Sequence, residues 1–415
     1  MSETACRNRY ETSTFKGDFG FWALCLSYVL SQFFRSYVAA IATQLISDFR
    51  FSSEMFGWFA GAFFLVFALA QIPVGIMFDR LGVRIPTASL MAIGTLSAGV
   101  LSCTTNPWIA IAAQAGIGFG CAPVFMGLLN YVLSSGAGVR QTSTVTTASA
   151  IGMAGALLAA WPLSRATELV GWRSAMMAAT GAMFCATLGV AAFVKRREHR
   201  SHASRDAAHH ATSTPWGGRF WTLAPACLAM SVGGTFRTSS GGPYLTDVFS
   251  FDLMARGNAL TVTSLVGAVA SFCIPFLVRF WTPKSLSLFW LILGAFAALT
   301  LAAFPAMSSV FGVGLICVLF SVGAIHPLVM SQARANVPAH RLGLAFGLLN
   351  SLVFLGIALA SGSFGWIAGE ARIAHATPAQ VYASLFAVTA FPLAVGAIVF
   401  AFSPGARKTA TAVKT

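Results

Sequence analysis

Apolar residues occur along this chain in long blocks, and short polar stretches separate one block from the next. The blocks cover roughly residues 19–46, 55–78, 86–105, 108–133, 142–166, 173–194, 219–247, 257–280, 285–305, 308–333, 343–368 and 380–402. A helix needs about 20 predominantly apolar residues to cross a hydrocarbon core about 30 Å thick. The pattern therefore predicts an all-α membrane protein with twelve transmembrane helices.

The composition excludes an ordinary soluble protein. Hydrophobic residues make up 57% of the chain and charged residues only 9%, whereas soluble domains carry about 25% charged residues. The first residues are polar and mixed in charge, so we expect no cleavable signal peptide. The sequence thus indicates a multi-pass membrane protein that keeps its N-terminal segment.

A polar stretch near the middle divides the apolar blocks into two sets of six. It is rich in basic residues and histidines and is typical of a flexible linker. The predicted organisation is a tail at 1–18, a six-helix bundle at 19–194, a linker at 195–218, a second six-helix bundle at 219–402 and a tail at 403–415.

The two sets also resemble each other. The tripeptide around Arg35 (Phe-Arg-Ser) recurs around Arg237 as Phe-Arg-Thr, and Ile72-Pro73 recurs as Ile274-Pro275. Parallel repeats of this kind are a transporter architecture in which the substrate site lies between the halves at the bilayer midplane. We therefore expect two pseudo-symmetric bundles with a site between them.

The formal net charge of +14 is distributed unevenly. If both termini lie on one side, nineteen of the twenty-six basic residues fall on that side, five fall on the other, and two lie deep inside apolar blocks. Cytoplasmic loops carry the excess of lysine and arginine. The charge therefore predicts cytoplasmic termini and a lipid bilayer as partner, in a bacterial inner membrane, with no role in binding nucleic acid.

The two basic residues deep inside apolar blocks are Arg35 and Arg237. A guanidinium near the bilayer centre is costly and almost always faces a cavity or a partner. None of the twelve acidic residues lies in the middle of a predicted helix, so no carboxylate is available at that depth. Because the planar guanidinium suits a carboxylate or a phosphate, we predict that both arginines bind an anionic substrate. The alternative is that both are structural and donate to carbonyls of broken helices.

Several polar side chains are candidate companions of these arginines. Tyr28 and Gln32 share the helix face of Arg35 by their spacing. Tyr131 and Tyr244 lie in the fourth and seventh predicted helices and bring polar-tipped aromatic rings. We expect all four to contact the substrate, and ordinary helix packing with a satisfied hydroxyl is the alternative for the tyrosines.

His326 is the only one of the seven histidines that lies inside a predicted transmembrane helix, and Pro327 follows it. Histidine changes charge near neutral pH, which makes His326 a candidate for proton coupling. The alternative is a hydrogen bond to a neighbouring helix. No nucleophile–base pair, metal-ligand spacing or phosphate-binding loop is present in the sequence, so we expect no enzyme activity, no cofactor and no metal.

The loop after the second helix contains the pattern G-x-x-x-D-R-x-G-x-R, formed by Gly75, Asp79, Arg80, Gly82 and Arg84. This pattern resembles the signature of the major facilitator superfamily. The resemblance implies a gating loop that latches the two halves in one state of the transport cycle. The arginines in the first and seventh helices resemble those of bacterial organic-anion and organic-phosphate carriers of that superfamily.

These features predict a secondary active transporter that moves a small organic anion by alternating access. The substrate would be a carboxylate, a sugar acid or a phosphate ester, moved with protons or in exchange for another anion by a monomeric protein. The alternatives are an exporter of drugs or metabolites and a ligand sensor built on a transport fold. The fifth predicted helix lacks the Gly-Pro pair that drug antiporters of the superfamily usually carry, which argues against drug export.

Overall fold

The fold is known from a computed structural model, which describes residues 18–133, 138–195, 218–337 and 342–403. These residues form helices joined by short connections. The predicted linker and the two predicted tails lie almost wholly outside the described residues.

The first half of the chain forms six helical rods. They are α1 (Phe19–Phe49), α2 (Ser53–Leu81), α3 (Arg84–Cys103), α4 (Pro107–Leu133), α5 in two pieces (Gly138–Leu158 and Trp161–Val170) and α6 (Trp172–Phe193).

The second half continues with six more. They are α7 in pieces (Gly218–Trp221, Ala224–Val232, a π-helical turn at Phe236–Ser240, and Gly241–Phe249), α8 (Leu253–Leu277), α9 (Pro283–Ala303), α10 (Ser309–Ser321, a 3₁₀ turn at Val322–Ile325, and His326–Asn336), α11 (Leu342–Ile373) and α12 (Pro378–Ala401).

Ten of the described helices are long and apolar enough to cross a membrane. The two rods outside this set are α5, whose first piece is long enough at 21 residues but rich in threonine and serine, and α7, which is divided into short pieces. Both rods are interrupted. Helix α5 turns at Ala159 and Ala160, just before Pro162, and proline has no N–H to continue the ladder. Helix α7 is interrupted after Gly233 and Gly234 by the π-helical turn, and such turns occur frequently at functional sites.

Each half has its own hydrophobic core. Nearly all buried residues of the first core come from residues 21–194, and those of the second come from residues 220–400. We call "base" the end of the molecule where α1 begins, and there the Tyr131 hydroxyl donates to Asp18. We call "top" the end where α1 finishes, and there the Trp172 indole donates to Asp48.

Helices α2 and α11 form a close contact between the halves. A Cβ added to Gly57 would meet the carbonyl of Ser361 and the backbone of Gly365, and one added to Gly61 would meet the carbonyl of Ala358. Small residues allow helix backbones to approach this closely. In the described residues, hydrogen bonds between the halves begin at the Asn350–Gln71 pair and continue from there towards the top.

Candidate functional site

Arg35 lies in the middle of α1 with its charge directed at aromatic rings. Its guanidinium carbon is 4.9 Å from the ring centroid of Phe67 and 4.7 Å from that of Phe354. Its Nε is buried without a hydrogen-bond partner, and no described carboxylate forms an ion pair with it. Ring faces attract a cation, but they cannot accept hydrogen bonds as an anion can. Arg35 therefore keeps unused hydrogen-bonding capacity.

The two rings beneath Arg35 come from different halves. Phe67 belongs to α2 and Phe354 to α11, and their centroids are 4.4 Å apart. Arg35 therefore lies at the interface between the two halves, near mid-membrane. These two rings could not be singled out from the sequence, because they are two of thirty-six phenylalanines in an apolar chain.

Tyr28 and Gln32 lie beside Arg35 on α1. The Gln32 amide donates to the Tyr28 hydroxyl at 3.0 Å, and the Tyr28 ring packs on Phe125 with centroids 5.0 Å apart. Gly152 of α5 lies against the same ring. The structure thus brings these two candidates to Arg35, and contact with a substrate stays a prediction.

His326 reaches the same region from the second half. Its Nε2 is buried without a partner. Asn350 of α11 and Arg35 lie near His326. Asn350 also donates to Gln71 of α2 at 3.1 Å. The sequence analysis missed Gln71 and Asn350, although an amide inside an apolar helix is the signal that reveals them.

Tyr131 and Tyr244 do not lie with this group in the structure, and their contact with a substrate stays a prediction. The Tyr131 hydroxyl donates to Asp18 at the base at 2.9 Å. The Tyr244 hydroxyl donates to the carbonyl of Pro305 at the top at 2.6 Å. Helical periodicity places a residue on a face but does not fix its depth relative to another helix, so the sequence could not show that these two hydroxyls lie at opposite ends of the molecule.

Arg237 was predicted to bind an anion, but in this structure its guanidinium is already hydrogen-bonded to the protein. It is fully buried, and all three nitrogens of its guanidinium donate to protein oxygens. The acceptors are the Ser264 hydroxyl (2.5 Å), the Ser36 carbonyl (3.3 Å) and the Ala156 carbonyl (2.5 Å). In this state Arg237 resembles the structural alternative, since its donors are already engaged, and it does not form a clamp with Arg35.

Arg256 is a third buried arginine, one of the five basic residues that the sequence analysis placed on the less basic side of the membrane. Only 2% of it is exposed. Its guanidinium donates to the Ala40 carbonyl at 3.1 Å, the Gln44 amide oxygen at 3.2 Å and the Thr246 hydroxyl at 2.8 Å. The sequence does not reveal this burial, because Arg256 follows the Asp252 N-cap of α8 by four residues. A long side chain in the first turn of a helix normally faces solvent.

The predicted gating loop joins α2 to α3. Gly82 has φ 71°, the left-handed region that glycine adopts freely, and its N–H caps α2 by donating to the carbonyl of Phe78. A Cβ added to Gly75 would meet no atom within 4 Å. Arg80 is exposed and Arg84 begins α3, whereas the side chain of Asp79 is outside the described set. The latch function of this loop stays a prediction.

A cleft of about 240 Å³ opens between the halves towards the top. The polar residues that line it include Thr43, Ser240, Asp247, Arg372 and Tyr382. Tyr382 donates to Asp247 at 2.9 Å. Arg35 is not part of its lining, so the cleft is separate from the group around Arg35.

One group of curated relatives consists of multidrug resistance protein MdtL from Escherichia coli strains. Their sequences are 32% identical to this chain over 146 residues. That alignment covers 34% of this chain and 36% of the relative, so the chain spans about a third of the length of the curated relatives it matches.

Solved transporter structures match almost the whole chain. A bacterial homologue of the human lysosomal transporter Spinster, in an inward-facing and occupied conformation, has a TM-score of 0.76 at 16% identity, covering 94% of this chain and 97% of that one. The nucleoside transporter NupG has a TM-score of 0.70 at 13% identity, covering 92% and 98%. At these identities the likeness concerns the fold alone.

The family model of the Major Facilitator Superfamily matches residues 24–361. That range includes the helices that carry Arg35, Arg237 and His326, and the loop from Gly75 to Arg84. The helical fold with two cores and the match over most of the chain agree. The chain belongs to the major facilitator superfamily of membrane transporters.

Proposed function

We propose that this protein is a secondary active transporter that moves a small organic anion by alternating access, with Arg35 as the centre of the substrate site. The observation that carries the proposal is the Arg35 guanidinium at mid-membrane, whose Nε is buried without a partner. The substrate is a carboxylate, a sugar acid or a phosphate ester.

The energetics of Arg35 favour an anionic ligand. A buried cation without a counter-charge is expensive, and aromatic faces compensate only in part, by about 0.5–2 kcal/mol each. A bound anion adds charge-assisted hydrogen bonds, which are roughly twice as strong as neutral ones. The site is therefore most stable when an anion occupies it.

The neighbours of Arg35 complete a site with few polar groups. Tyr28 and Gln32 offer a hydroxyl and an amide from α1, and His326 and Asn350 face the region from the second half. A largely apolar wall with a few convergent polar groups is typical of small-molecule sites. The aromatic walls favour an anion that carries an apolar body.

His326 is the proposed coupling residue. A proton carried on its imidazole would balance the negative charge of an anion bound at Arg35. Anion uptake would then be linked to proton uptake. A transporter that exchanges one anion for another would not need this step, so both modes belong to the proposal.

The full architecture is also proposed. We infer that the broken rods α5 and α7 cross the membrane with the ten intact helices, which gives two six-helix bundles in a monomer. We further infer that both termini and the linker lie in the cytoplasm of a bacterial cell, so that the base is the cytoplasmic end. The nineteen-to-five distribution of basic residues supports this orientation.

The second candidate function is export of drugs or metabolites. The similarity to multidrug resistance protein MdtL, at 32% identity over about a third of the chain, favours it. An exporter of amphipathic or cationic compounds would use the aromatic walls without needing the charge of Arg35. Whether ligand binding requires Arg35 therefore distinguishes the two functions.

A thermal-shift screen of the purified protein tests the proposal. The panel would contain mono- and dicarboxylates, sugar acids and phosphate esters, each paired with a neutral analogue such as the amide or the alcohol. A ligand at a hundred times its Kd stabilises by about 2.7 kcal/mol, which gives a measurable shift. We expect stabilisation by an anion, not by its neutral analogue, and loss of the effect in Arg35→Gln.

Stabilisation by amphipathic cations that persists in Arg35→Gln would instead favour the exporter. A sensor would bind an anion in the screen without accumulating it in liposomes.

A further inference from the structure

We propose that Arg237 and Arg256 form a lock that holds the top of the transporter closed. Both belong to the second half, and both donate to main-chain carbonyls of the first half. The lock does not depend on which substrate is moved. It gives a function to two buried cations that the proposed substrate site leaves unused.

The first contact caps the break in α5. In an unbroken helix the N–H of Ala160 would bond to the carbonyl of Ala156, but here it bonds to Leu157 at 3.1 Å. The carbonyl of Ala156 is thus released from the ladder, and a carbonyl at a helix end needs another donor. Arg237 supplies that donor from the opposite half. The break in α5 therefore provides an acceptor for the lock.

The second contact lies at the kink in α1. Ile41 departs from helical dihedral angles, with φ −111° and ψ 20°, and the carbonyl of Ala40 just before it accepts from Arg256. The same guanidinium also donates to Gln44 on α1. One arginine from α8 thus binds α1 at two positions that are one helical turn apart, Ala40 and Gln44, on the top side of mid-membrane.

The backbones meet between these two contacts. A Cβ added to Gly242 of α7 would overlap the carbonyl of Ala39 on α1. Both arginines can reach their acceptors only when α1 and α7 are this close. Gly242 is therefore the packing element of the lock.

Main-chain acceptors suit a lock that must open in every cycle. A carbonyl does not titrate, so the contact is insensitive to pH, unlike an arginine–carboxylate pair. When the halves separate at the top, water from the cleft can hydrate both the carbonyls and the guanidiniums. The hydrogen bonds of the lock are thus strong while water is excluded, and they can be exchanged for bonds to water when the top opens.

Hydrogen–deuterium exchange of the purified protein, without substrate, tests this inference. Arg237→Lys and Arg256→Lys keep the charge but lose the planar set of donors. Loss of one hydrogen bond to a charged group should raise the top-open population roughly tenfold or more. Deuterium uptake should then rise in peptides 36–49 and 154–165 and should not rise in peptide 72–90 at the base.

Gly242→Ala provides a variant that keeps both arginines, and it should give the same one-sided increase. The matched controls are Arg165→Lys, an exposed arginine on the top side, and Gly181→Ala, whose added Cβ would meet no atom within 4 Å. Unchanged uptake in all three test variants would overturn the lock. An equal rise at top and base would also overturn it, since that result indicates general destabilisation. Neither outcome depends on whether Arg35 binds an anion.

Discussion

At the scale of single residues, Arg35 and Arg237 occupy corresponding places in the two halves but have different surroundings. Arg35 lies over two phenylalanine rings with its Nε unpartnered. Arg237 donates to protein oxygens through all three nitrogens. The two arginines therefore differ despite the pseudo-symmetry of the sequence. We propose that Arg35 binds the substrate and that Arg237 stabilises the conformation in which the top is closed.

His326→Gln tests coupling at this scale. Glutamine keeps a donor and an acceptor but does not titrate. Accumulation driven by a pH gradient in liposomes should be lost, whereas exchange of labelled for unlabelled anion should continue. Accumulation that persists in the variant would show that His326 is not the coupling residue.

The sequence reveals some of these residues and conceals others for physical reasons. A charge inside an apolar block is conspicuous, so Arg35, Arg237 and His326 were identified. Whether a donor is free depends on acceptors from distant helices, so the engaged state of Arg237 could not be read from its neighbours along the chain.

At the scale of the helices, two breaks shape the molecule. The interruption in α5 lies just before Pro162, and the one in α7 lies at Gly233 and Gly234. What the sequence could not indicate is that the carbonyl released in α5 meets an arginine from α7, because that contact depends on how the two halves dock.

Gly152→Ala tests the support of the substrate site by α5. The added methyl would overlap the Tyr28 ring, so the ring must move and its hydrogen bond with Gln32 should weaken. We expect weaker anion binding and a loss of stability of about 1–3 kcal/mol, the usual cost of overpacking. Binding and thermal unfolding should be compared with Gly181→Ala, and anion affinity equal to that of this control would argue against Tyr28 as part of the site.

Asp79→Asn tests the loop between α2 and α3. If the loop acts as a latch, the substitution biases the conformational equilibrium rather than the substrate contacts. Turnover in liposomes should fall much more than affinity. Normal turnover with roughly tenfold weaker binding, about 1.4 kcal/mol, would contradict a gating role.

At the scale of the whole molecule, the long apolar blocks were sufficient to predict a multi-helix membrane protein. Ten described helices meet the criteria for a membrane span, and their bounds lie within a few residues of most predicted blocks. The conformational state could not be predicted, since the same sequence must adopt more than one. Here the halves meet from mid-membrane to the top.

Orientation in the membrane is testable by labelling. The basic asymmetry predicts that the linker is cytoplasmic. A cysteine introduced at Ser201, in a background without other reactive cysteines, should resist an impermeant reagent in intact cells and react after permeabilisation. Labelling of intact cells would reverse the orientation.

The central claim is that Arg35 holds a transported anion, and uptake in proteoliposomes tests it most directly. The wild type should take up a labelled anion from the thermal-shift screen with saturable kinetics. Arg35→Lys should bind it roughly tenfold more weakly or worse, since a charged hydrogen bond is worth about 1.5–3 kcal/mol. Arg35→Gln should show no uptake, and Arg165→Lys should match the wild type. Wild-type uptake by Arg35→Gln would contradict the account.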